Sequence, residues 1–577
     1  MTASINGTWT AVISGDKNGL IYTYRVKVDG IVREAVDPYV RATTVNGQRG
    51  VVVNLAATNP KGWSKKRPAF SGRATDAVIY ELHVRDLSID TSSGVTAKNA
   101  GTYAAFTETK TSVAGTSTAI ASIKELGVTH VELLPVFDYA SVDENNPSFN
   151  WGYDPQNYNV PEGSYSSDPT NPTVRILELK SAIQALHDQK LRVNMDVVYN
   201  HVFSPASFSQ NQIVPGYFFR TDANGNLTNG SGIGNDIASE RPMVRKFIVD
   251  SVKYWASEYN LDGFRFDLMG LMDIETAKAI TAALSKIDKS IIIIAEGWNM
   301  GTLPDKDKAG QMNAALLPGV SMFNDQFRDA IKGSVFDKLD KGFATGKTTS
   351  LQSVMVGIAG NINYSTFMKL SRNWTTIAPG QSVNYVESHD NLTLADKIVS
   401  SVLGATPAQV AQMARFASSI ALLAQGMPFI QAGQEFLRSK GGDENSYKSS
   451  DAVNSIKWGE KAKNIVTYKY FQGLIALRKA HPAFRLPTAA HVNKSLKFYP
   501  VANNVVMYSI AGKGVGDSVA SFVVIHNPNA TVQKIKLPKR GKWSIVVSDD
   551  RAGTSVISTG TMAEVSVAGQ TTMVLQQ

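Results

Sequence analysis

Apolar and polar positions alternate in two rhythms along this chain, and the rhythm changes twice. In residues 1–62, IYTYRVKV (21–28) switches sides every residue and RGVVVNL (49–55) is β-branched. A period of two marks half-buried strands, and the Gly and Asn between them mark turns. These residues predict an N-terminal β-sandwich, or the remaining half of one, and KGWSKKRP (61–68) predicts a linker behind it. Further on, short apolar runs alternate with helical stretches. The runs are AVIYELHV (77–84), VTHVELLPV (128–136), LRVNMDVVYN (191–200), LDGFRFDL (261–268), SIIIIAEGW (290–298), VSMFND (320–325), VNYVESHD (383–390) and MPFIQAGQEF (427–436). Between them, Ile176, Leu179, Ile183 and Leu186 recur at spacings of three and four. So do Val244, Ile248, Val252, Trp255 and Tyr259. Such spacing lays the apolar atoms on one helical stripe.

Strands alternating with helices imply a parallel sheet. Eight of them between residues 63 and 484 predict an α/β fold, a (β/α)8 TIM barrel with insertions. The alternative is a doubly wound open sheet, but no glycine-rich phosphate fingerprint follows the first strand. From residue 485 the helical period fades. KFYPVANNVVMYSI (497–510), SFVVIHN (521–527), KWSIVVSDD (542–550) and TTMVLQQ (571–577) predict a C-terminal β-sandwich over 485–577.

Composition narrows the function. The 577 residues are 43% hydrophobic, enough for packed cores. The sequence has no apolar run of about 18 residues, so no membrane span is expected. MTASINGTWTAVI lacks a basic start followed by an apolar stretch, so no secretory leader is read, and the head reads as starting within a domain. There are no cysteines, which excludes disulfides, thiolate metal sites and a cysteine nucleophile. Charged residues are only 19%, and Ser and Thr are plentiful. That balance leans towards a secreted or cell-surface protein over a cytoplasmic one. The net charge of +9 is scattered rather than clustered, so no nucleic-acid stripe is expected.

In a barrel of this kind the active site lies at the C-terminal ends of the strands. The polar residues there are Asp196, Asn200 and His201, then Arg265 and Asp267, then Glu296, then His389, Asp390 and Asn391. Asp196, inside its strand, is expected to be structural, pairing with an arginine or accepting hydrogen bonds. Asp267, Glu296 and Asp390 each close an apolar run, an expensive place for a carboxylate. A reaction that uses paired acids, glycoside hydrolysis, gives them a reason to be there.

DVVYNH (196–201), GFRFDLMG (263–270), EGW (296–298) and ESHDN (387–391) resemble the ordered motif set of the α-amylase superfamily of glycoside hydrolases. FNWGYDP (149–155) resembles the YNWGYDP signature of type I pullulanases, with Phe149 in place of the first Tyr. The head resembles the end of a family 48 carbohydrate-binding module, and the tail resembles the β-domain of these enzymes. The resemblance implies cleavage of α-1,6 branch linkages in an α-glucan, with Asp267 as nucleophile, Glu296 as acid and base, and Asp390 binding the sugar. Arg265, two residues before Asp267 on one strand face, would keep that carboxylate ionised. His201 and His389 would bond the same ring. Trp151, Tyr153, Trp298 and Phe323 are expected as aromatic platforms, with Asp154 bracing their loop. Asn324 and Asp325 are expected on the acceptor side, and Tyr447 and Asp451 in the outer subsites.

No HExxH or EF-hand pattern occurs, so no cofactor is expected beyond a structural calcium ion whose ligands the sequence does not mark. The expected partner is the glucan itself, and the expected state is a monomer. The alternatives are an isoamylase-like or glycogen-debranching hydrolase, a dual amylase-pullulanase, a branching transferase, and a glucan-binding protein without catalysis.

Overall fold

The computed structural model describes residues 1–364 and 374–577. Its centre is a closed barrel of eight parallel strands. They are β1 (Ile79–Leu82), β2 (His130–Leu133), β3 (Arg192–Val197), β4 (Gly263–Phe266), β5 (Ile292–Ala295), β6 (Ser321–Phe323), β7 (Ser382–Asn384) and β8 (Met427–Gln431). The strands close in chain order, with β8 pairing back onto β1. All eight runs expected from the sequence are present in that order.

Period-two alternation decides what each strand sends inwards. Ile79, Ile292, Ile294, Phe323, Val383, Tyr385, Met427 and Phe429 form one apolar cluster. Their sequence neighbours Tyr80, Ile293 and Met322 belong instead to the larger core shared with the surrounding helices. The β1–β4 side of the interior is polar. Glu132 accepts from Asn194 at 3.3 Å, and Asp196 is bound by Arg265. Burial holds the Glu132 carboxyl at a raised pKa of about 8, with Asp196 and Glu81 adding to it.

Outside, α1 (Val174–Asp188) buries Ile176, Leu179, Ile183 and Leu186. The helix α2 (Pro242–Glu258) buries Val244, Ile248, Val252 and Trp255 and starts with Pro242, whose missing N–H costs nothing in a first turn. Each such side chain contributes about 1.5–3 kcal/mol on leaving water.

At the C-terminal end, seven antiparallel strands run from Leu496 to Gln576. Both faces are covered. On Ser521–Asn527, Phe522 and Val524 join the core shared with the barrel helices, while Val523 and Ile525 join a second core with Trp543 and Leu575. The head differs from a stacked sandwich. Its described strands form three separate two-stranded ribbons: Thr2–Ala3 with Trp9–Thr10, Ile21–Tyr22 with Gly50–Val51, and Tyr24–Val28 with Ile31–Ala35. The apolar residues Trp9, Val12, Ile31 and Val32 stay exposed, because no second layer of these residues covers them.

Candidate active site

The C-terminal mouth of the barrel opens into a cleft of about 1010 Å³. Asp267, Glu296, His389, Asp390 and Asn391 share it with Trp151, Tyr153, Asp154, His201, Trp298 and Tyr447. Residues more than 230 positions apart therefore meet because their strands end side by side.

Arg265 organises the acids. It is buried inside the barrel, and its Nη1 donates to both Asp196 oxygens at 3.0 Å and to Asp267 Oδ1 at 2.8 Å. Its Nη2 donates to Glu296 Oε2 at 3.0 Å. One planar guanidinium thus fixes the two carboxylates that face the cleft, a fork geometry that lysine lacks. Asn200, after β3, donates to Asp267 Oδ2 at 2.8 Å and to its carbonyl at 2.8 Å. Leu268 sits in the left-handed region (φ 39°, ψ 45°), an uncommon place for a branched residue, and its N–H reaches Glu296 Oε2 at 3.1 Å.

These contacts leave the acids in different states. Burial raises Glu296 to a pKa of about 8 against the pull of Arg265, and the charges of Asp267 and Asp390 push the same way. The carboxyl is therefore protonated at neutral pH. Burial also raises Asp196, to about 6, with Arg265 opposing. Asp196 stays inside the barrel, where it accepts from Arg265 and from the Tyr153 hydroxyl at 2.7 Å.

The aromatic wall is built on the same frame. Tyr153 stacks on His389, with centroids 5.0 Å apart and planes 20° apart. Trp151 meets His389 edge-on at 4.8 Å, and its backbone N–H donates to the Tyr447 carbonyl at 2.9 Å. That bond ties the 149–155 loop to the loop after β8. His201 contacts the Tyr153 carbonyl at 2.8 Å. Phe149, the departure from the signature, packs beside His83 with ring centres 4.6 Å apart. Asp154 lines the cleft, and burial raises its carboxyl to a pKa of about 6.

Three of the expected contacts are tied to neighbouring protein groups. Phe323 packs in the apolar barrel interior and also lines a small recess that it shares with Glu296, Trp298, His389 and Asp390. Asn324 caps the helix Asp325–Lys332 by accepting from the Phe327 N–H at 3.1 Å, and it donates to Ser382. Asp325 accepts from Gln311 at 2.6 Å. Asp451 is held by a two-pronged contact with Arg85, at 2.8 and 2.7 Å. A polar residue after a barrel strand often caps the next helix, and sequence cannot separate that use from ligand contact.

Sequence reasoning passed over Glu81, whose Oε1 lies 2.7 Å from His389 Nδ1. The available signal was an acid at an inward position of an otherwise apolar strand. It also passed over Phe203 and Phe336, which line the cleft from loops and carry no periodic signal.

One buried group of acids could hold a cation: Asp138, Glu144 and Glu162 lie together among the described residues. Arg175 already supplies positive charge there, bonding Glu144 at 2.8 and 2.6 Å, and Asn157 donates to Asp138 at 2.6 Å. Glu162 accepts from the N–H groups of Tyr139 and Ser164. The donor oxygens are engaged, so the triad fits an arginine-centred brace better than a calcium cradle.

Known proteins carry the same arrangement. Residues 492–551 match the family model "Pullulanase, all-beta domain". The pullulanase of Bacillus subtilis (strain 168) is 44% identical over 93% of this chain and 74% of its own length. Pullulanase 1, chloroplastic, of Arabidopsis thaliana is 31% identical over 86% of this chain, which spans 64% of that protein. The crystal structure of a Paenibacillus barengoltzii pullulanase in complex with maltohexaose and alpha-cyclodextrin superposes with a TM-score of 0.95 at 46% identity, covering 100% of this chain and 88% of that one. Likeness this close over barrel, cleft and C-terminal sheet together means that the chain belongs to the pullulanase family.

Proposed function

We propose that this protein hydrolyses α-1,6-glucosidic branch linkages in pullulan and branched α-glucans by a retaining double displacement. The observation that carries the mechanism is the single guanidinium of Arg265 touching both Asp267 and Glu296 at the floor of one cleft. Retaining enzymes need a nucleophile and an acid close together, and the bridge enforces closeness.

Asp267 is the nucleophile. Arg265 and Asn200 donate to its two oxygens, which fixes the carboxyl where it faces the cleft. Its carboxylate attacks the anomeric carbon while Glu296 gives its proton to the leaving glycosidic oxygen. The carbon–oxygen bond breaks and a glycosyl-enzyme ester forms. Glu296, now a carboxylate, takes a proton from water, which attacks the same carbon and frees Asp267. Asp390 and His389 line the same cleft, where they can hold sugar hydroxyls, and Asp390 faces the charge that develops on the ring in the transition state. Tyr153 offers a flat face to the apolar side of the innermost glucose. The chemistry needs no cofactor, and the working unit is one chain.

Digestion of pullulan followed by sizing of the products tests the reading. Maltotriose as the end product supports it. Panose would mean α-1,4 cleavage, and binding without new reducing ends would mean a glucan-binding protein.

A further inference from the structure

The stretch 147–153, which forms one wall of the cleft, belongs to no helix or strand, so single contacts decide where Trp151 and Tyr153 stand. The peptide between Asn150 and Trp151 is gripped at both ends. Its N–H donates to the Tyr447 carbonyl at 2.9 Å, and its carbonyl lies 2.8 Å from His83 Nε2. A peptide unit is planar, so two partners on opposite sides fix its orientation, and with it the direction in which the Trp151 side chain leaves the backbone. His83 follows β1 directly, whereas Tyr447 lies in the loop after β8. The wall therefore hangs between the two strands that close the barrel.

His83 is buried and packs behind Phe149, one of the residues that line the cleft, with ring centres 4.6 Å apart. Its surroundings choose one tautomer. The backbone N–H groups of Arg85 and Asp86 point at Nδ1, at 3.1 and 3.4 Å, so that nitrogen keeps its lone pair. Asp86 Oδ1 stands 3.8 Å from it, outside hydrogen-bond reach. Burial lowers the pKa of the ring against the pull of Asp86, which leaves it neutral at neutral pH. The one ring proton then sits on Nε2, where the Asn150 carbonyl, which only accepts, requires it. The Tyr165 hydroxyl, 2.9 Å from the same nitrogen, closes the other side.

We propose that His83 is a positioning residue for glucan binding: its Nε2–H holds the Asn150–Trp151 peptide and so sets the aromatic wall of Trp151 and Tyr153 against the innermost sugar. The inference rests on the glucan-hydrolase reading above and adds to it a residue one layer behind the sugar. The reacting acids are fixed separately, by Arg265. Loss of the His83 contact should thus weaken binding and leave the chemical step alone. A raised KM with kcat unchanged is the mark of binding lost equally from ground and transition states.

Two substitutions split the contacts of the ring. His83→Asn keeps an oxygen close to the place of Nδ1, so the N–H groups of Arg85 and Asp86 retain an acceptor, but no donor reaches the Asn150 carbonyl. His83→Gln extends an amide NH2 to the place of Nε2 and keeps the donor while giving up the acceptor. On pullulan, His83→Asn should raise KM by about three- to tenfold with kcat within about twofold of the parent, the effect of one neutral hydrogen bond. His83→Gln should bring KM back to within about twofold of the parent. A residue that only shapes the turn after β1 would show the reverse order. Equal KM values in the two variants, a KM within about twofold of the parent in His83→Asn, or a fall in kcat at constant KM overturns the proposal. Should His83→Gln not fold, His83→Asn decides by the same limits. Calorimetric titration with maltotriose separates this from the catalytic reading. If the parent leaves pullulan uncut, the function assigned above fails. The role of His83 still stands if His83→Asn binds maltotriose at least about threefold more weakly than the parent, and falls if the two bind equally.

Discussion

His389 Nδ1 lies 2.7 Å from Glu81 Oε1, a buried contact that joins the loop after β7 to the first strand of the barrel. Burial alone would strip the imidazole of its proton, but Asp390 and Glu81 together outweigh it and hold its pKa at about 9. His389 is therefore an imidazolium at neutral pH, a donor on both nitrogens and a positive neighbour for Asp390. Glu81→Gln removes one of those charges at constant shape. The His389 titration, followed by NMR of the imidazole protons, should move below 9 by a unit or more, about the size of one close charge. A variant that still titrates at 9 would show that Glu81 is not what holds the proton.

Glu296 can protonate a leaving group only while it carries a proton. Its raised pKa of about 8 places that limit on the alkaline side, since the acid form is lost as pH rises through the value. The expected kcat/KM profile is flat through neutrality and falls above pH 8, by about tenfold per unit. A profile that declines from pH 5 onwards would mean that Glu296 ionises normally and that its burial is relieved in solution.

The two reacting carboxyls should be separable from folding. Asp267→Asn and Glu296→Gln keep shape and remove the charge or the titrating proton. Each should lower kcat by about 10³-fold or more, with a melting temperature within a few degrees of the parent. Near-parental turnover in either variant would reassign the role.

The sequence disclosed the frame better than the rim. Buried parallel strands read as apolar runs whatever surrounds them, so IIIIAEGW and LRVNMDVVYN were legible. VSMFND was faint because β6 has only three residues. The strand Ser558–Val567 was not legible at all: it is mostly exposed and STGTMAEVSV lacks an apolar face. The motif acids, Arg265 and His389 were readable because strand-end position implies a shared mouth. Asn324, Asp325 and Asp451 are held by a helix cap, an amide and an arginine, uses that draw on the same residue types as sugar contacts and that the sequence does not separate from them. Glu81 and Phe203 act through neighbours from distant segments, and only closure of the barrel brings those together.

Arg265 contacts three acids in a place water hardly reaches. Removing it leaves Asp196 and Glu296 buried without their partner, a situation that costs about 3–5 kcal/mol. Arg265→Met should therefore lose activity and unfold at clearly lower urea. Arg265→Lys should recover part of the stability but little turnover, because a single ammonium cannot hold Asp267 and Glu296 on separate nitrogens. Equal rescue of both by lysine would show that charge, not the fork, is what the site requires.

Gly270 offers a test of how tightly the two acid-bearing segments are locked. It follows Asp267 by three residues, and a Cβ there would lie 1.7 Å from the Trp298 carbonyl oxygen. Its φ lies outside the left-handed region, so alanine could adopt the backbone without strain and the obstacle is purely the neighbouring chain. Gly270→Ala must then push apart the turn after β4 and the EGW segment after β5. The acids themselves are untouched, but their relative placement moves by the better part of an ångström, a displacement worth about 10²-fold in rate. The expected result is a steep fall in kcat on pullulan in a protein that still binds maltoheptaose and still melts cooperatively. If the variant kept parental kcat, the spacing set by Arg265 would have survived the intrusion, and backbone packing at this point could not be what holds nucleophile and acid in register.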